Sequence, residues 1–240
     1  MKITRLLSIA GLAVVAVQGM AVDWAFGGLD AATGPADPRP NSNAMAAAFD
    51  TIAADINPIR SITMERLALQ GPVGAIALNN EVVATAVNGS LEILNVDDTI
   101  LGWNTTVFGS KHLRFTPNFN AGVQGVLLTF LNPINAVGMY INGLEDRFSG
   151  PDITLFAAQP IIVGVGVNKP AQAGVAFLGL ATDAGMYNQA FIAQNAADGN
   201  TRDIIGIDDI RYTACAVPEP GTIAAIGLGV VALIGRRRKA

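Results

Sequence analysis

Short apolar or alternating segments separated by turn residues fill the sequence between residues 59 and 212, and this pattern most constrains the fold. It predicts strands at 61–69, 75–78, 82–87, 91–96, 113–115, 126–131, 136–141, 153–157, 161–167, 175–180, 189–194 and 204–212. No helices alternate regularly with these segments. The pattern therefore predicts a mainly β protein built on an antiparallel β-sandwich, and we expect a jelly roll.

Turn residues mark several of the strand boundaries. Asn-Gly-Ser at 88–90 has the chemistry of a hairpin turn. Asn-Gly at 142–143 and Asp-Gly at 198–199 indicate further turns, because Asn, Asp and Gly tolerate left-handed backbone.

One short helix is expected ahead of the strands. Asn-Ser-Asn at 41–43 can cap its start, and Pro58 ends it. Four apolar residues recur on one face: Met45, Phe49, Ile52 and Ile56. Such a stripe predicts a packing face. Residues 23–40, rich in Gly, Pro, Asp and Ala, are expected to be irregular.

The N-terminus has the order of a secretory signal peptide. Lys2 and Arg5 precede an apolar run at 6–17, and small residues at Gly19 and Ala21 indicate cleavage after Ala21. We expect a signal helix that signal peptidase removes. An uncleaved N-terminal anchor is the alternative, and both place the domain on the same side of the membrane.

The C-terminus consists of three blocks. Pro218, Glu219 and Pro220 form a stiff joint, because proline interrupts a preceding strand or helix. The uncharged block 221–235 would span roughly 22 Å as a helix, against a hydrocarbon core of roughly 30 Å. It would therefore cross a membrane only marginally. Arg236, Arg237 and Arg238 would keep the C-terminus cytoplasmic. The alternative is a buried core helix.

In this order of blocks the tail resembles the PEP-CTERM sorting signal of Gram-negative bacteria. The resemblance implies that an exosortase, an integral membrane cysteine protease, recognises the tail and cleaves it. It also implies that the tail holds the protein in the membrane only until processing. The protein then passes to the cell surface or extracellular matrix.

These features predict the following organisation: signal peptide (1–21), leader with a short helix (22–58), β-sandwich domain (59–214), linker with the PEP motif (215–220), short transmembrane segment (221–235) and basic cytoplasmic tail (236–240).

Charge and composition exclude several classes of function. The predicted exported part, residues 22–216, has 9 basic and 18 acidic residues, for a net charge of −9. Such a surface repels nucleic acid and anionic lipid. One histidine and one cysteine are too few for a zinc site. Since the G-x-S-x-G motif of a hydrolase nucleophile is also missing, we expect a protein that is not an enzyme.

Four segments carry a second resemblance: ITMERLAL at 62–69, NTTVFGSKHLRF at 104–115, NPINAVGMYI at 132–141 and GIDDIRY at 206–212. They are similar to the core domain of many PEP-CTERM surface proteins. That domain is similar to the jelly rolls of carbohydrate-binding modules and lectins, which supports the predicted fold.

Two adjacent carboxylates, Asp208 and Asp209, lie in the last predicted strand. In a regular strand Asp208 shares a face with Ile210 and Tyr212, whereas Asp209 shares a face with Ile207. One carboxylate should therefore point towards the apolar side. A carboxylate near a core is costly unless it is paired or binds a metal.

A structural calcium ion is one interpretation of these carboxylates. Jelly-roll binding modules often hold calcium where the first and last strands meet, and the resemblance would place Glu65 beside Asp208 or Asp209. The alternative is that Asp208 caps a turn and Asp209 pairs with Arg211 or another cation. No other cofactor is expected.

Sugar binding would require an exposed aromatic ring. Trp103, between Gly102 and Asn104, is the best candidate. The alternative is a ring folded back onto the sandwich.

The sequence therefore predicts an exported surface or matrix protein with a structural or adhesive role in the envelope or in the exopolysaccharide matrix of a biofilm. Its expected partners are signal peptidase, exosortase, the membrane before processing, and exopolysaccharide. One alternative is a lectin-like carbohydrate-binding module. Another is a secreted glycoside hydrolase, which would need two carboxylates about 5 to 10 Å apart in one cleft.

Overall fold

The computed structural model describes residues 3–7, 22–32, 34–95, 102–106, 108–118, 122–144, 153–157, 165–167, 174–183, 185–194 and 203–214. Their elements are β1 (Ile3–Leu7), β2 (Val22–Asp30), α1 (Pro40–Ile56), β3 (Ile59–Ile62), β4 (Gln70–Val73), β5 (Ala75–Ala77), β6 (Val82–Val87), β7 (Gly89–Leu94), β8 (His112–Pro117), β9 (Gln124–Leu144), β10 (Ile153–Ala157), β11 (Val165–Val167), β12 (Gly174–Thr182), β13 (Tyr187–Gln194) and β14 (Ile205–Ala214). The mainly β prediction is confirmed.

The strands form two sheets that share β9. The larger sheet has the order β1-β2-β12-β9-β14-β8-β7-β4, and β3 pairs with β14. The smaller sheet has the order β5-β6-β9-β13-β10-β11. Among the described residues the pairings are antiparallel except for β1, which runs parallel to β2. The result is the predicted antiparallel sandwich.

The long strand β9 passes from one sheet to the other. Up to Phe130 it pairs with β6 and β13, and from Ile134 onwards it pairs mainly with β12 and β14. Pro133, which has no N–H to donate, lies at the change of partners. The two strands expected at 126–131 and 136–141 are therefore one, and the turn expected at 142–143 is wrong. Gly143, with φ of 71°, adopts its left-handed conformation inside the strand.

The main core lies between the two sheets, and α1 covers the other face of the larger sheet. Val126 and Leu128 from the smaller sheet belong to one buried cluster with Met139 and Ile141 from the larger. A second cluster forms beneath the helix around Phe49, which is fully buried. The described elements therefore form three layers: smaller sheet, larger sheet and helix.

Two glycines bring α1 close to the larger sheet. A Cβ added to Gly179 would lie 2.8 Å from the Phe49 ring, and one added to Gly138 would lie 3.2 Å from it. The Phe49 ring packs edge-on against Phe26, with the centroids 5.6 Å apart. The predicted packing face is confirmed, since Met45 is also buried and the two isoleucines of the stripe are partly buried.

The start of α1 is capped from outside the helix. Its N-cap residue, Arg39, makes no side-chain capping bond. Instead, the Asp30 carboxylate accepts hydrogen bonds from the backbone N–H groups of Asn41 (3.1 Å) and Ser42 (2.7 Å). The expected local cap at 41–43 is therefore wrong. A strand supplies the acceptor for these otherwise unpaired N–H groups.

Part of the region expected to be irregular, 23–40, forms β2. This strand pairs with β12 and lies under α1, so it is an integral part of the larger sheet. The strand expected at 61–69 ends at Ile62, and one turn of 3-10 helix follows at Met64–Arg66.

The residues at 88–90 turn the chain but do not form a hairpin. Asn88 has the expected left-handed backbone, with φ of 54°. However, β6 pairs with β5 and β9, whereas β7 pairs with β4 and β8. The turn therefore carries the chain from the smaller sheet to the larger one.

The predicted targeting segments are described only in part. Ile3–Leu7 forms strand β1 where a signal helix was expected. The rest of the predicted signal peptide, the C-terminal segment from residue 215 and the turn at 198–199 lie outside the described residues. Within the part of the chain that the structure describes, helices fall short of the length and apolar character needed to cross a membrane.

A bulge in β14 breaks the alternation assumed for its carboxylates. Asp209 has φ of 48°, and the pairing with β9 shifts between Asp208 and Arg211. Ile207 and Ile210 consequently both face the core, although they are three residues apart. Asp208 lies opposite Tyr140, on the face that α1 covers. The expectation that Asp208 shares a face with Ile210 is wrong.

The bulge predicts an order of stability for two variants. Asp209→Ala and Asp209→Gly both lose the carboxylate, but only glycine adopts a positive φ without steric cost. We expect Asp209→Gly to be the more stable of the two by about 1 kcal/mol in the free energy of unfolding. Urea denaturation measures this difference. Equal stabilities would contradict the left-handed conformation of residue 209.

Candidate functional site

The loop between β7 and β8 carries one predicted site residue, Trp103, which is fixed to β9. The Asn142 side chain accepts a hydrogen bond from the Trp103 N–H and donates one to the Trp103 carbonyl, both at 2.8 Å. Trp103 is fully buried in the cluster beneath α1. In this position its ring has no face open to a sugar. The alternative of a ring folded back onto the sandwich is the arrangement observed.

Asp208 holds the next part of the loop. Its side chain is fully buried. Oδ2 accepts hydrogen bonds from the backbone N–H groups of Thr105 (2.8 Å) and Thr106 (2.9 Å). It also accepts from the hydroxyls of the same residues, at 3.0 and 2.9 Å. Asp208 is therefore the turn cap that the alternative to calcium predicts.

Glu65 holds the far end of the same loop. Its Oε1 accepts hydrogen bonds from the backbone N–H groups of Ser110 and Lys111, each at 2.7 Å. The Lys111 ammonium donates to the carbonyls of Glu65 (3.1 Å) and Leu67 (2.6 Å). Two carboxylates on separate elements thus hold two parts of one loop, residues 105–106 and residues 110–111.

Asn104 connects these two anchors. Its Nδ2 lies 3.1 Å from Glu65 Oε1, 3.2 Å from Asp208 Oδ2 and 2.7 Å from the Lys111 carbonyl. The structure therefore brings Glu65 and Asp208 together, as expected, and separates them by an amide. Sequence analysis did not assign Asn104, Thr105 and Thr106 to the site. The run of three short polar residues that favour turns was the available signal.

The buried position of Asp208 alters its acidity. Burial raises the pKa of the carboxyl, because charge is costly away from water. The hydrogen bonds from Thr105 and Thr106 favour the ionised form and act in the opposite direction. The effect of burial is the larger, so the pKa of Asp208 is raised overall. Ionisation of this carboxyl costs free energy, and the surrounding hydrogen-bond donors reduce that cost.

Asp209 lies outside this cluster and pairs with Arg211, as its alternative assignment predicts. The Arg211 guanidinium is 2.6 Å from Asp209 Oδ2 and 2.7 Å from Asp50 Oδ2 on α1. It also lies over the Tyr140 ring, 5.7 Å from the centroid. Burial would lower the pKa of Arg211, but the hydrogen bond and charges of the two aspartates raise it. This ion pair joins β14 to the helix.

The residues around Asn104 do not fit a calcium site as they are placed. Calcium takes six to eight oxygen ligands at about 2.3–2.6 Å. Here the anchoring oxygens of Glu65 and Asp208 face N–H and O–H donors, and the Asn104 amide nitrogen lies between them. Among the described residues, side chains of His, Cys, Asp and Glu do not form a group of three that could hold a metal. The geometry favours a hydrogen-bonded loop anchor, and calcium stays a prediction.

Two substitutions of Asp208 test this assignment. Asp208→Ala leaves the donors of Thr105 and Thr106 without an acceptor, and we expect a loss of about 3 kcal/mol in the free energy of unfolding. For a domain of this size, the melting temperature should fall by roughly 6–12 °C. Asp208→Asn keeps an acceptor and removes the buried charge, so its melting temperature should stay much closer to that of the wild type. Thermal denaturation followed by circular dichroism measures both.

Calcium chelation is the control for the same experiment. A hydrogen-bonded anchor leaves the wild-type melting temperature unchanged when a chelator replaces added calcium. If chelation lowers the wild-type melting temperature, and Asp208→Asn abolishes that response, a bound cation would replace the hydrogen-bonded anchor as the explanation.

The C-terminal tail matches a known family model. Residues 216–239 match the PEP-CTERM protein-sorting motif. The matched range contains Pro218, Glu219 and Pro220, and it also contains the arginines at 236–238. The chain therefore carries a PEP-CTERM sorting motif, which indicates an exported, exosortase-processed protein with a C-terminal membrane-anchor region. No curated protein matches the sequence.

The core is similar in fold to several solved structures. An arabinose-bound α-L-arabinofuranosidase matches with a TM-score of 0.41 and 11% identity over 63% of this chain, which spans only 25% of the enzyme. A point mutant of the family 29 carbohydrate-binding module CBM29-2 matches with a TM-score of 0.39 and 12% identity over 65% of this chain and 92% of its own. CBM29_1 from Piromyces equi matches with a TM-score of 0.38 and 10% identity over 66% of this chain and 91% of its own.

Proposed function

We propose that this protein is a component of the cell surface or extracellular matrix of a Gram-negative bacterium, where it has a structural or adhesive role in the envelope or the exopolysaccharide matrix. The observation that carries the proposal is the PEP-CTERM motif at residues 216–239. Signal peptidase acts at the N-terminus and exosortase at the tail. The segment 221–235 holds the protein in the membrane between these two steps.

The charge of the exported part supports a neutral partner. Residues 22–216 carry a net charge of −9, so an acidic polymer would be repelled at low ionic strength. Neutral polysaccharide meets no such barrier. Exopolysaccharide is therefore the partner that we propose for the sandwich, and nucleic acid is not.

The loop geometry favours a role other than hydrolysis. A glycoside hydrolase needs two carboxylates that face one cleft, about 5 to 10 Å apart. Glu65 and Asp208 are the predicted site carboxylates that the fold brings together, but Asp208 is fully buried. Backbone N–H groups occupy the oxygens through which both residues hold the loop. Their chemistry suits anchoring, not proton transfer to a substrate.

Replacement of the sorting motif tests the proposed delivery. We expect the variant in which Pro218, Glu219 and Pro220 are all changed to Ala to stay in the membrane fraction with its tail attached, because exosortase no longer recognises it. The wild type should leave that fraction for the surface or the medium with a lower apparent mass. Immunoblotting of cell fractions from the producing organism measures both changes.

Pro35→Ala is the matched control, since it removes an exposed proline of the folded part and leaves the tail intact. This control should be delivered like the wild type. Delivery and processing of the triple variant at the wild-type level would overturn the proposal.

A further inference from the structure

The outer face of the smaller sheet carries a row of side chains in continuous register. Phe156 of β10 lies opposite Phe191 of β13, and Phe191 lies opposite Leu127 of β9. The row continues to Thr85 of β6 and Ala75 of β5. We call these five residues the phenylalanine stripe. At about 4.8 Å between neighbouring strands, the row is roughly 19 Å long.

The stripe faces away from the core. The residues that alternate with it along the strands, Leu155, Ile192 and Leu128, are fully buried between the sheets. Phe156 is 40% exposed, and Phe191 and Leu127 are partly exposed. The exposed rings of Phe156 and Phe191 stay in contact with water unless a partner covers them, and such apolar patches often mark binding surfaces.

The rows beside the stripe consist of uncharged residues. On one side lie Gln189, Thr129, Val83 and Ala77, and on the other lie Thr154, Ala193, Gly125 and Val87. The second of these rows is largely buried at Thr154 and Ala193. The open surface therefore extends from the stripe towards Gln189, Thr129 and Val83. It presents an amide and a hydroxyl next to apolar groups.

The shape and charge of this surface favour a particular kind of ligand. The stripe is a single row of side chains across five strands, apolar except at Thr85, and such a narrow row suits a linear polymer. A stable protein partner needs about 800 Å² of matched surface on each side, and a single row does not provide it. The three rows named above carry no charged side chain, and the exported part has a net charge of −9, so these rows suit a neutral polymer better than an anionic one. Sugar rings have apolar faces for phenylalanine and hydroxyl edges for the neighbouring amide and hydroxyl.

We propose that the phenylalanine stripe binds a neutral polysaccharide whose chain lies across the strands of the smaller sheet. The rings of Phe156 and Phe191 contact the apolar faces of sugar units, and Gln189 and Thr129 donate and accept hydrogen bonds with their hydroxyls. This inference rests on the proposed matrix location, since it names the surface through which the protein contacts the matrix. It assigns the contact to a sheet face and not to Trp103.

The test uses the full-length protein, purified in a detergent without a sugar headgroup. The probes are hydroxyethylcellulose, xylan and galactomannan as neutral polymers, with alginate as the anionic one, and affinity electrophoresis measures binding. We expect binding to at least one neutral polymer. The double variant Phe156→Ala/Phe191→Ala should bind it at least about tenfold more weakly, whereas Phe156→Tyr/Phe191→Tyr should retain most of the affinity.

Phe108→Ala is the matched control. Phe108 is a fully exposed phenylalanine in the loop between β7 and β8, away from the stripe, so its removal should leave the affinity unchanged. Thermal denaturation verifies that each variant is folded. If the double variant is unstable, the single variant Phe156→Ala replaces it, because a side chain with this exposure contributes less to the core.

Several results would overturn the inference. They are a lack of binding to the neutral polymers, binding to alginate alone, or equal binding by the wild type and the double variant. A fourth is self-association of the wild type that the double variant abolishes, measured by light scattering, since a second copy would then cover the stripe. The fractionation experiment tests the proposed delivery independently of polymer binding. In that experiment the double variant should still reach the cell surface even if it binds no polymer.

Discussion

The strands of the larger sheet that lie beneath α1 must be buried on both faces, and much of the architecture follows from this constraint. One of them, β12, has nine residues, all of them buried. One face packs against the smaller sheet, and α1 covers the other. The glycines at 138 and 179 leave room for the Phe49 ring, so the helix lies close to the strands. Helix α1 is therefore packed onto the sandwich by the same burial that stabilises the core.

This arrangement decides which surfaces can meet a partner. The helix-covered face holds Phe49, Trp103 and Tyr140 among its buried side chains, so the largest aromatic rings are used in packing. Glu65 and Asp208 anchor the loop between β7 and β8 by accepting hydrogen bonds from its backbone. The open face of the smaller sheet remains, with two phenylalanines at its centre. The described part of the chain thus has one covered face and one that is open to a partner.

Local patterns in the sequence predicted the parts of the fold that local interactions determine. The strands at 82–87 and 153–157 have the predicted limits, and the stripe of α1 packs as its period indicated. β2 was missed because its two adjacent glycines and two aspartates resemble a loop. Gly28 allows close contact with the helix, and Asp30 caps that helix. The bulge at Asp209 was missed because a single aspartate, although it tolerates left-handed backbone, does not mark a bulge within an otherwise strand-like pattern.

The candidate site, like the fold, could be predicted only in part. The proximity of Glu65 and Asp208 came from the resemblance to jelly-roll modules, and the structure brings the two residues together. Their chemistry could not be predicted, because the donors of Asn104, Thr105 and Thr106 approach Asp208 from about a hundred residues away. The alternation of side chains in single strands also does not reveal the phenylalanine stripe. Its continuity depends on the register of β10, β13 and β9.

Hydroxyl-radical footprinting of the protein in the intact extracellular matrix, and again after extraction, tests the assignment of the covered and open faces most directly. Trp103 should stay unlabelled in both states, because α1 and the larger sheet bury its ring. Phe156 and Phe191 should be labelled after extraction and protected in the matrix. Labelling of Trp103 in the extracted protein, or equal labelling of Phe156 in the two states, would contradict this division into a buried face and a proposed matrix-binding face.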